Sequence, residues 1–429
     1  MVKVIGAGLA GVEAAYYLAN QDIKVKLYEM RPIKMTPAHQ TGRFAELVCS
    51  NSLRSNDIHN AVGLLKHEMM TFDSLIMQAA NHSSVPAGSS LAVDRELFSQ
   101  YIEDKIRNHP NIEVINEEFL HIDPNEYTMI CAGPLASDAL SNDISKLFHQ
   151  KHLHFFDAIA PIIDAKSINM DIAYLKNRYD KGEAAYINCP MTEEEYTAFH
   201  RELINSKKVQ IKGFENNVFE GCIPFEVMAE RGFETLLYGP MKPVGLAKDR
   251  GKRPFAVVQL RQDDAAKSMY NIVGFQTHLT WDEQKRIIQM IPGLKNAAIL
   301  RYGVMHRNTY LESPKILNNS FQSKTHPKLF FAGQISGVEG YVESSASGLN
   351  AAIQLHQLIK TNALKPFPKE TMMGAMANYI STSNPSFVPM NANLGLFPPL
   401  DFKHSKKMRK ELYATRSLDA LAQYKETLK

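Results

Sequence analysis

Residues 2–30 read VKVIGAGLAGVEAAYYLANQDIKVKLYEM, a strand, a glycine turn, a helix and a second strand. Val2, Val4 and Ile5 make the short apolar strand, Gly6-Ala7-Gly8-Leu9-Ala10-Gly11 matches GxGxxG, and Val12 to Ala19 continue with helical spacing. Glycines at these positions permit the tight turn. They also let backbone N–H groups close on a pyrophosphate at the helix N-terminus, where the helix dipole favours negative charge. Glu29 ends the second strand about 18 residues beyond Gly11, where a carboxylate accepts hydrogen bonds from a ribose. The stretch predicts a βαβ unit that holds a dinucleotide through Gly6, Gly8, Gly11 and Glu29.

A second glycine-rich segment lies far downstream, LFFAGQISGVEGYVESSASGLNAAI at 329–353. It reads as an apolar strand from Leu329 to Ala332, then small residues, then a helix from about Glu343. Gly333, Gly337, Gly340 and Gly348 leave backbone bare enough to lie against a flat cofactor. Two such segments, one near each end of the chain, predict one composite site closed by the returning chain. YTMICAGP at 127–134 supplies a third strand and turn. The three-part arrangement resembles flavoproteins of the glutathione-reductase type, which bind FAD. Those proteins often carry Asp where this chain has Gln334, whose amide can still hydrogen bond a ribityl chain.

The rest of the chain bounds what this unit can be part of. With 429 residues, 45% hydrophobic and 22% charged, the composition is that of a soluble globular protein of two or three domains. No apolar run approaches the roughly 18 residues needed to span a bilayer. The net charge of +3 does not announce a nucleic-acid binder, so any RNA contact must be local. From Pro161 to Leu300 the texture changes. FAVVQLRQ (255–262) and MYNIVGFQTHL (269–279) alternate like strands, and TEEEYTAFHREL (192–203) reads as a helix capped by Thr192. The expected fold is therefore α/β, a Rossmann FAD-binding fold of the glutathione-reductase type with an inserted smaller α+β domain. Residues 1–160 and 301–429 form the FAD-binding parts and 161–300 the insertion.

The four cysteines show no CxxC pairing, and few cysteines point to a reducing cytoplasm and to no zinc or other metal site. Cys131 and Cys189 read as structural. Cys49 sits in the polar loop AELVCSNSLRSN (45–56), and Cys222 in EGCIP between Gly221 and Ile223-Pro224, a turn a substrate can reach.

GAGLAG (6–11), LYEMRP (27–32), FAELVCSNSLRS (44–55), LAVDR (91–95), EGC (220–222), PFEVMAERG (224–232), VVQLRQDDA (257–265), RYGVMHRNTY (301–310) and FAGQISGVEGYVESSASGL (331–349) together resemble the folate- and FAD-dependent RNA uracil-5-methyltransferases, the TrmFO family. The resemblance runs over nearly the whole chain. It implies methylation of carbon 5 of a uridine, in the T-loop of tRNA or, in a related branch, in 23S ribosomal RNA. It further implies 5,10-methylenetetrahydrofolate as one-carbon donor, FAD as hydride donor and NAD(P)H as reductant.

By motif matching the resemblance also makes Cys222 the nucleophile that adds to uracil carbon 6, places Cys49 beside the flavin, and adds Gly333, Gln334, Gly340 and Tyr341 to the cofactor residues. Arg54 is a candidate for phosphate or anionic-flavin contact, or a solvated loop arginine. Lys252 and Arg253, in KDRGKRPF with Phe255 as a stacking ring, are candidates for RNA contact. The basic segment at 403–416 is either a second RNA contact or the wet face of a terminal helix. An NAD(P)H-dependent flavin reductase would use the same scaffold but would have no need of the EGC loop.

Overall fold

The structure is a computed structural model that describes residues 1–150, 153–180, 185–210, 223–248, 253–385, 387–401, 405 and 408–428. A five-stranded sheet organises the larger core, in the order Leu329–Phe331, Thr128–Ile130, Val2–Ile5, Val25–Tyr28, Ile112–Ile115. Each adjacent pair is parallel, with Val4 opposite Leu27 and Met129. The strand that comes last in sequence thus lies beside Thr128–Ile130, and the glycine turns at both ends of the chain open at the same edge.

Two helices leave those turns side by side. Leu9–Asn20 follows Gly8 and Tyr341–Thr361 follows Gly340. They touch through small residues, since a methyl group on Gly348 would lie 2.2 Å from the Ala10 carbonyl oxygen. The second helix begins two residues before the expected Glu343, because Gly340, with φ +111°, makes the turn that starts it. Glu13, a charged residue in the middle of an apolar helix, is buried and caps a neighbour. Its carboxylate accepts from the N–H groups of Leu75 and Ile76 at 3.1 and 2.8 Å and from the Ser74 hydroxyl at 2.9 Å. Burial pushes its pKa to about 7 in spite of those bonds.

A second, antiparallel sheet has six strands in the order Tyr174–Leu175, Tyr186–Met191, Ala256–Gln262, Met269–Ile272, Ile162–Asp164, Ile299–Arg301. It has its own core around Phe199, Phe225 and Phe275. The helix Glu193–Ile204 starts at a capping box between Thr192 and Glu195, as the sequence predicts. The strand expected over 269–279 stops at Ile272. Gly274 turns there with φ +77°, where a Cβ would meet Pro240 at 2.5 Å. Phe255 packs its ring against Tyr196, 5.4 Å between centroids, and belongs to this core.

Polar stitches tie the second sheet to the Cys49 loop and to Arg95, which opens the helix Arg95–Arg107. Arg261 donates from Nε to Asn51 Oδ1 at 2.9 Å and from Nη2 to Ser50 Oγ at 2.7 Å. Arg95 pairs with Asp263 at 3.1 Å. At the far end the helix Arg409–Thr427 packs back through Tyr413, Leu421 and Tyr424. Buried Glu68 ties it down, accepting from the Ser417 hydroxyl and, at 2.6 and 2.8 Å, from the N–H groups of Met372 and Met373. Among the described residues no helix is long and apolar enough to cross a membrane.

Candidate functional site

The glycine turns, the Cys49 loop and the 127–134 turn enclose one cleft. Gly6, Gly8, Glu29, Cys49, Arg54, Gly333, Gln334, Gly340 and Tyr341 all line it. Gly11 stands just behind, where a Cβ would lie 1.8 Å from the Gly6 carbonyl oxygen. That contact sets how closely the first helix approaches its strand. Arg253 is exposed, and Cys222 and Lys252 lie outside the described residues.

The cleft suits an elongated ligand with a negative middle. Neither Gly8 nor Gly340 brings a side-chain cap to its helix, so the first N–H groups of two helices face the same space, each with the positive end of a dipole. A Cβ built on Gly8 or on Gly133 meets nothing within 4 Å, which leaves room for a ligand to rest on bare backbone. In the cleft wall Glu29 is fixed by its neighbours. One oxygen accepts from Ala7 N–H at 2.9 Å, the other from Arg31 N–H at 3.0 Å and Arg31 Nε at 2.9 Å. Burial acts to raise the Glu29 pKa, but the Arg31 guanidinium and these N–H groups outweigh it and hold the carboxyl below its ordinary range. Glu29 is therefore an anion suited to accepting ribose hydroxyls. Gln334 gives its amide N–H group to Glu339 at 2.8 Å. Its carbonyl oxygen is the atom suited to a sugar hydroxyl.

Cys49, also in the wall, is held by Tyr341. The phenol oxygen accepts from the N–H of Cys49 at 2.8 Å and of Ser50 at 3.3 Å. Both lone pairs are thereby used, so the phenolic proton is left for Cys49 Sγ, 2.9 Å away. Burial raises the Tyr341 pKa well above its ordinary value, which keeps that proton in place. Arg54 adopts φ +61° and pairs its guanidinium with buried Glu343. Beneath it, buried Lys66 donates to the Ser55 carbonyl at 2.6 Å and the Arg54 carbonyl at 3.3 Å. Arg54 is thus an anchored cation at the cleft edge. By contrast Cys131 and Cys189 are buried thiols pushed to about 12, which removes them from nucleophilic chemistry.

The chain matches the family model described as glucose inhibited division protein A over residues 1–363. Over 426 residues it is 66% identical to the methylenetetrahydrofolate–tRNA-(uracil-5-)-methyltransferase TrmFO of Acholeplasma laidlawii, covering 99% of each chain. The chain belongs to the TrmFO family. The TrmFO of Staphylococcus epidermidis is 58% identical over 432 residues, covering 100% of this chain and 99% of its own. Among solved structures, Aquifex aeolicus GidA superposes with a TM-score of 0.72 at 15% identity, covering 100% of this chain and 73% of that one. The α/β flavoprotein-type architecture of this TrmFO member is thus shared with GidA.

Sequence reasoning missed three groups in this TrmFO cleft. Arg261 lies in an apolar strand and is buried, yet it reaches the Cys49 loop from the second sheet. A lone arginine within AVVQLRQ was the available signal. His39, in TPAH, and Asn308, in RYGVMHRNTY, also line the cleft; both stretches belong to the family resemblance, but neither singled out the side chain.

Proposed function

We infer that this protein methylates carbon 5 of a uridine in tRNA, taking the one-carbon unit from methylenetetrahydrofolate with FAD held in the cleft. The observation that carries the reading is the convergence of two uncapped helix N-termini and the Tyr341-bound Cys49 loop on one cleft, in a chain 66% identical to a methyltransferase of that name. Gly8 and Gly340 would take the phosphates and the polar flavin edge, Glu29 the adenosine ribose, and Gln334 the ribityl chain. Bound FAD would supply the hydride that converts a transferred methylene to methyl. NAD(P)H as the source of its electrons and a cytoplasmic location belong to the same proposal, as does the division into FAD-binding parts 1–160 and 301–429 around an insertion 161–300.

Carbon 5 of uracil becomes nucleophilic only after a nucleophile adds at carbon 6, and a thiolate suits that reversible addition. Cys222 takes this role. Its sulfur bonds carbon 6, carbon 5 attacks the folate methylene, loss of the carbon-5 proton to a base and cleavage of the methylene–nitrogen bond release tetrahydrofolate, and hydride addition to the exocyclic methylene that remains lets the sulfur leave carbon 6 as the methyl product forms. Cys49, bound to Tyr341, organises the flavin side. Lys252 and Arg253 contact RNA phosphates, and Arg54 serves the cleft through its pairing with Glu343. The test uses tRNA carrying 5-fluorouridine, in which fluorine blocks loss of the carbon-5 proton and traps the sulfur–carbon bond. Cys222→Ala should abolish the trapped adduct and leave flavin content unchanged, whereas Cys49→Ala should alter the flavin spectrum and still form adduct. A persistent adduct in Cys222→Ala would refute the assignment.

A further inference from the structure

Asn308 lies in the strand Met305–Tyr310 and forms part of the cleft wall. Its residue is fully buried, and among the described residues neither Oδ1 nor Nδ2 of its side chain has a hydrogen-bond partner. The backbone around it is fully engaged. Asn308 pairs with Phe155 of the antiparallel strand Leu153–Ala158, Thr309 N–H donates to the Pro134 carbonyl at 2.9 Å, and Leu311 N–H donates to the Ile335 carbonyl at 2.9 Å. The backbone on either side of Asn308 is thus fixed to Pro134 and Ile335, next to Gly133, Pro134 and Gln334 of the same cleft. Asn271 and Asn350 are also buried, but each lacks a partner at one amide atom only. Among the buried carboxamides of the described residues Asn308 is the one left open at both ends.

A buried amide with donor and acceptor both unpaired is costly, and a fold retains one where something else completes it. The two open atoms lie side by side in one plane, so they match a group that offers an acceptor beside a donor, as asparagine does when it pairs with a base edge. We propose that Asn308 binds, through both amide atoms, a lactam edge, a carbonyl next to an N–H, of a planar heterocycle held in the cleft. Flavin, pterin and uracil each carry that edge. The inference rests on the reading of the cleft given above and adds the residue that orients a ring within it.

The experiment compares full-length wild type with Asn308→Leu, which keeps the volume and removes the polar atoms. Three titrations tell the sources apart. These are FAD added to flavin-stripped protein, followed by quenching of flavin fluorescence; 5-formyltetrahydrofolate added to flavin-loaded protein; and trapping of tRNA containing 5-fluorouridine. The substitution should weaken one of them by tenfold or more. At the same time the melting temperature of the stripped protein should hold or rise, because an unsatisfied buried amide has gone. A purely structural asparagine would give the opposite, a lower melting temperature with all three titrations intact. That result, or no change in any of the three, overturns the proposal. If stability and affinity fall together, Asn308→Asp decides. A carboxylate cannot donate, whereas a carboxylic acid offers donor and acceptor as the amide does. Affinity in that variant should therefore recover as pH is lowered, and absence of recovery also overturns the proposal. Failure of wild type to bind FAD or folate would instead sink the functional reading itself.

Discussion

Two glycines three residues apart should respond oppositely to the same added methyl group. At Gly8 the backbone sits at φ −74° and ψ −176°, open to any residue, and a Cβ meets nothing within 4 Å. Gly8→Ala should therefore cost about 1 kcal/mol or less, the difference between glycine and alanine at a helix N-cap. The methyl group would stand where a phosphate must approach. Losing two charge-assisted N–H contacts, about 1.5 kcal/mol or more each, weakens flavin binding by about 100-fold. At Gly11 the methyl would lie 1.8 Å from the Gly6 carbonyl oxygen and 3.3 Å from the Cys131 Cβ. The first helix must then move off its strand, at about 3 kcal/mol or more, the upper end of overpacking costs. Urea unfolding of flavin-stripped protein measures the first quantity, and flavin fluorescence quenching measures the second. Full flavin affinity in Gly8→Ala, or wild-type stability in Gly11→Ala, would refute the reasoning at that glycine.

Tyr341→Phe leaves the N–H groups of Cys49 and Ser50 without their acceptor. It should lower the unfolding free energy by ~1–3 kcal/mol and shift the flavin absorption band, as seen by urea titration and visible spectroscopy. The Glu29 pKa is lowered in the fold, so its stabilisation is present above the ordinary carboxylate range and lost as pH falls through the folded value. Glu29→Gln should be less stable than wild type at pH 7, with the gap closing below about pH 4. Glu68 has the opposite sign. Burial raises its pKa from 4.5 to about 7, so the folded state keeps a proton that the unfolded chain releases. Wild-type stability should fall by a few kcal/mol between those two values and level off above about pH 7, and Glu68→Gln should show a shallower slope, keeping only the share of Glu13, whose pKa is also raised to about 7.

The parallel sheet and the glycine cleft were legible because their signals are local and repeated. GxGxxG followed by an acid, and strand-then-glycine at 329–340, each fix a backbone path within a few residues. What escaped was set by distant partners. Arg261 looks like an outward-facing residue of an alternating strand until Asn51 and Ser50, some two hundred residues earlier, are found to accept from it. Asn308 lies within RYGVMHRNTY, yet that stretch does not single it out, since its meaning lies in atoms that nothing nearby satisfies. The strand expected to run to 279 failed for a related reason. Its alternation of apolar residues continues past Gly274, but the close approach of Pro240 at that glycine is a tertiary fact.

The order of strands in the parallel sheet has a consequence for how the molecule is made. Leu329–Phe331 pairs directly with Thr128–Ile130, so half of the cleft waits on the ribosome until the whole intervening sheet has been synthesised. At roughly 5–20 residues per second that interval is about 10–40 s. During it the edge of Thr128–Ile130 is an open template for wrong pairing. The second helix N-terminus, at Gly340, emerges later still. Flavin capture should accordingly be a terminal event of biogenesis. Stalled nascent chains ending before Leu329 should not retain FAD, and cells short of flavin should accumulate this protein as a full-length chain with a loosened seam between those two strands.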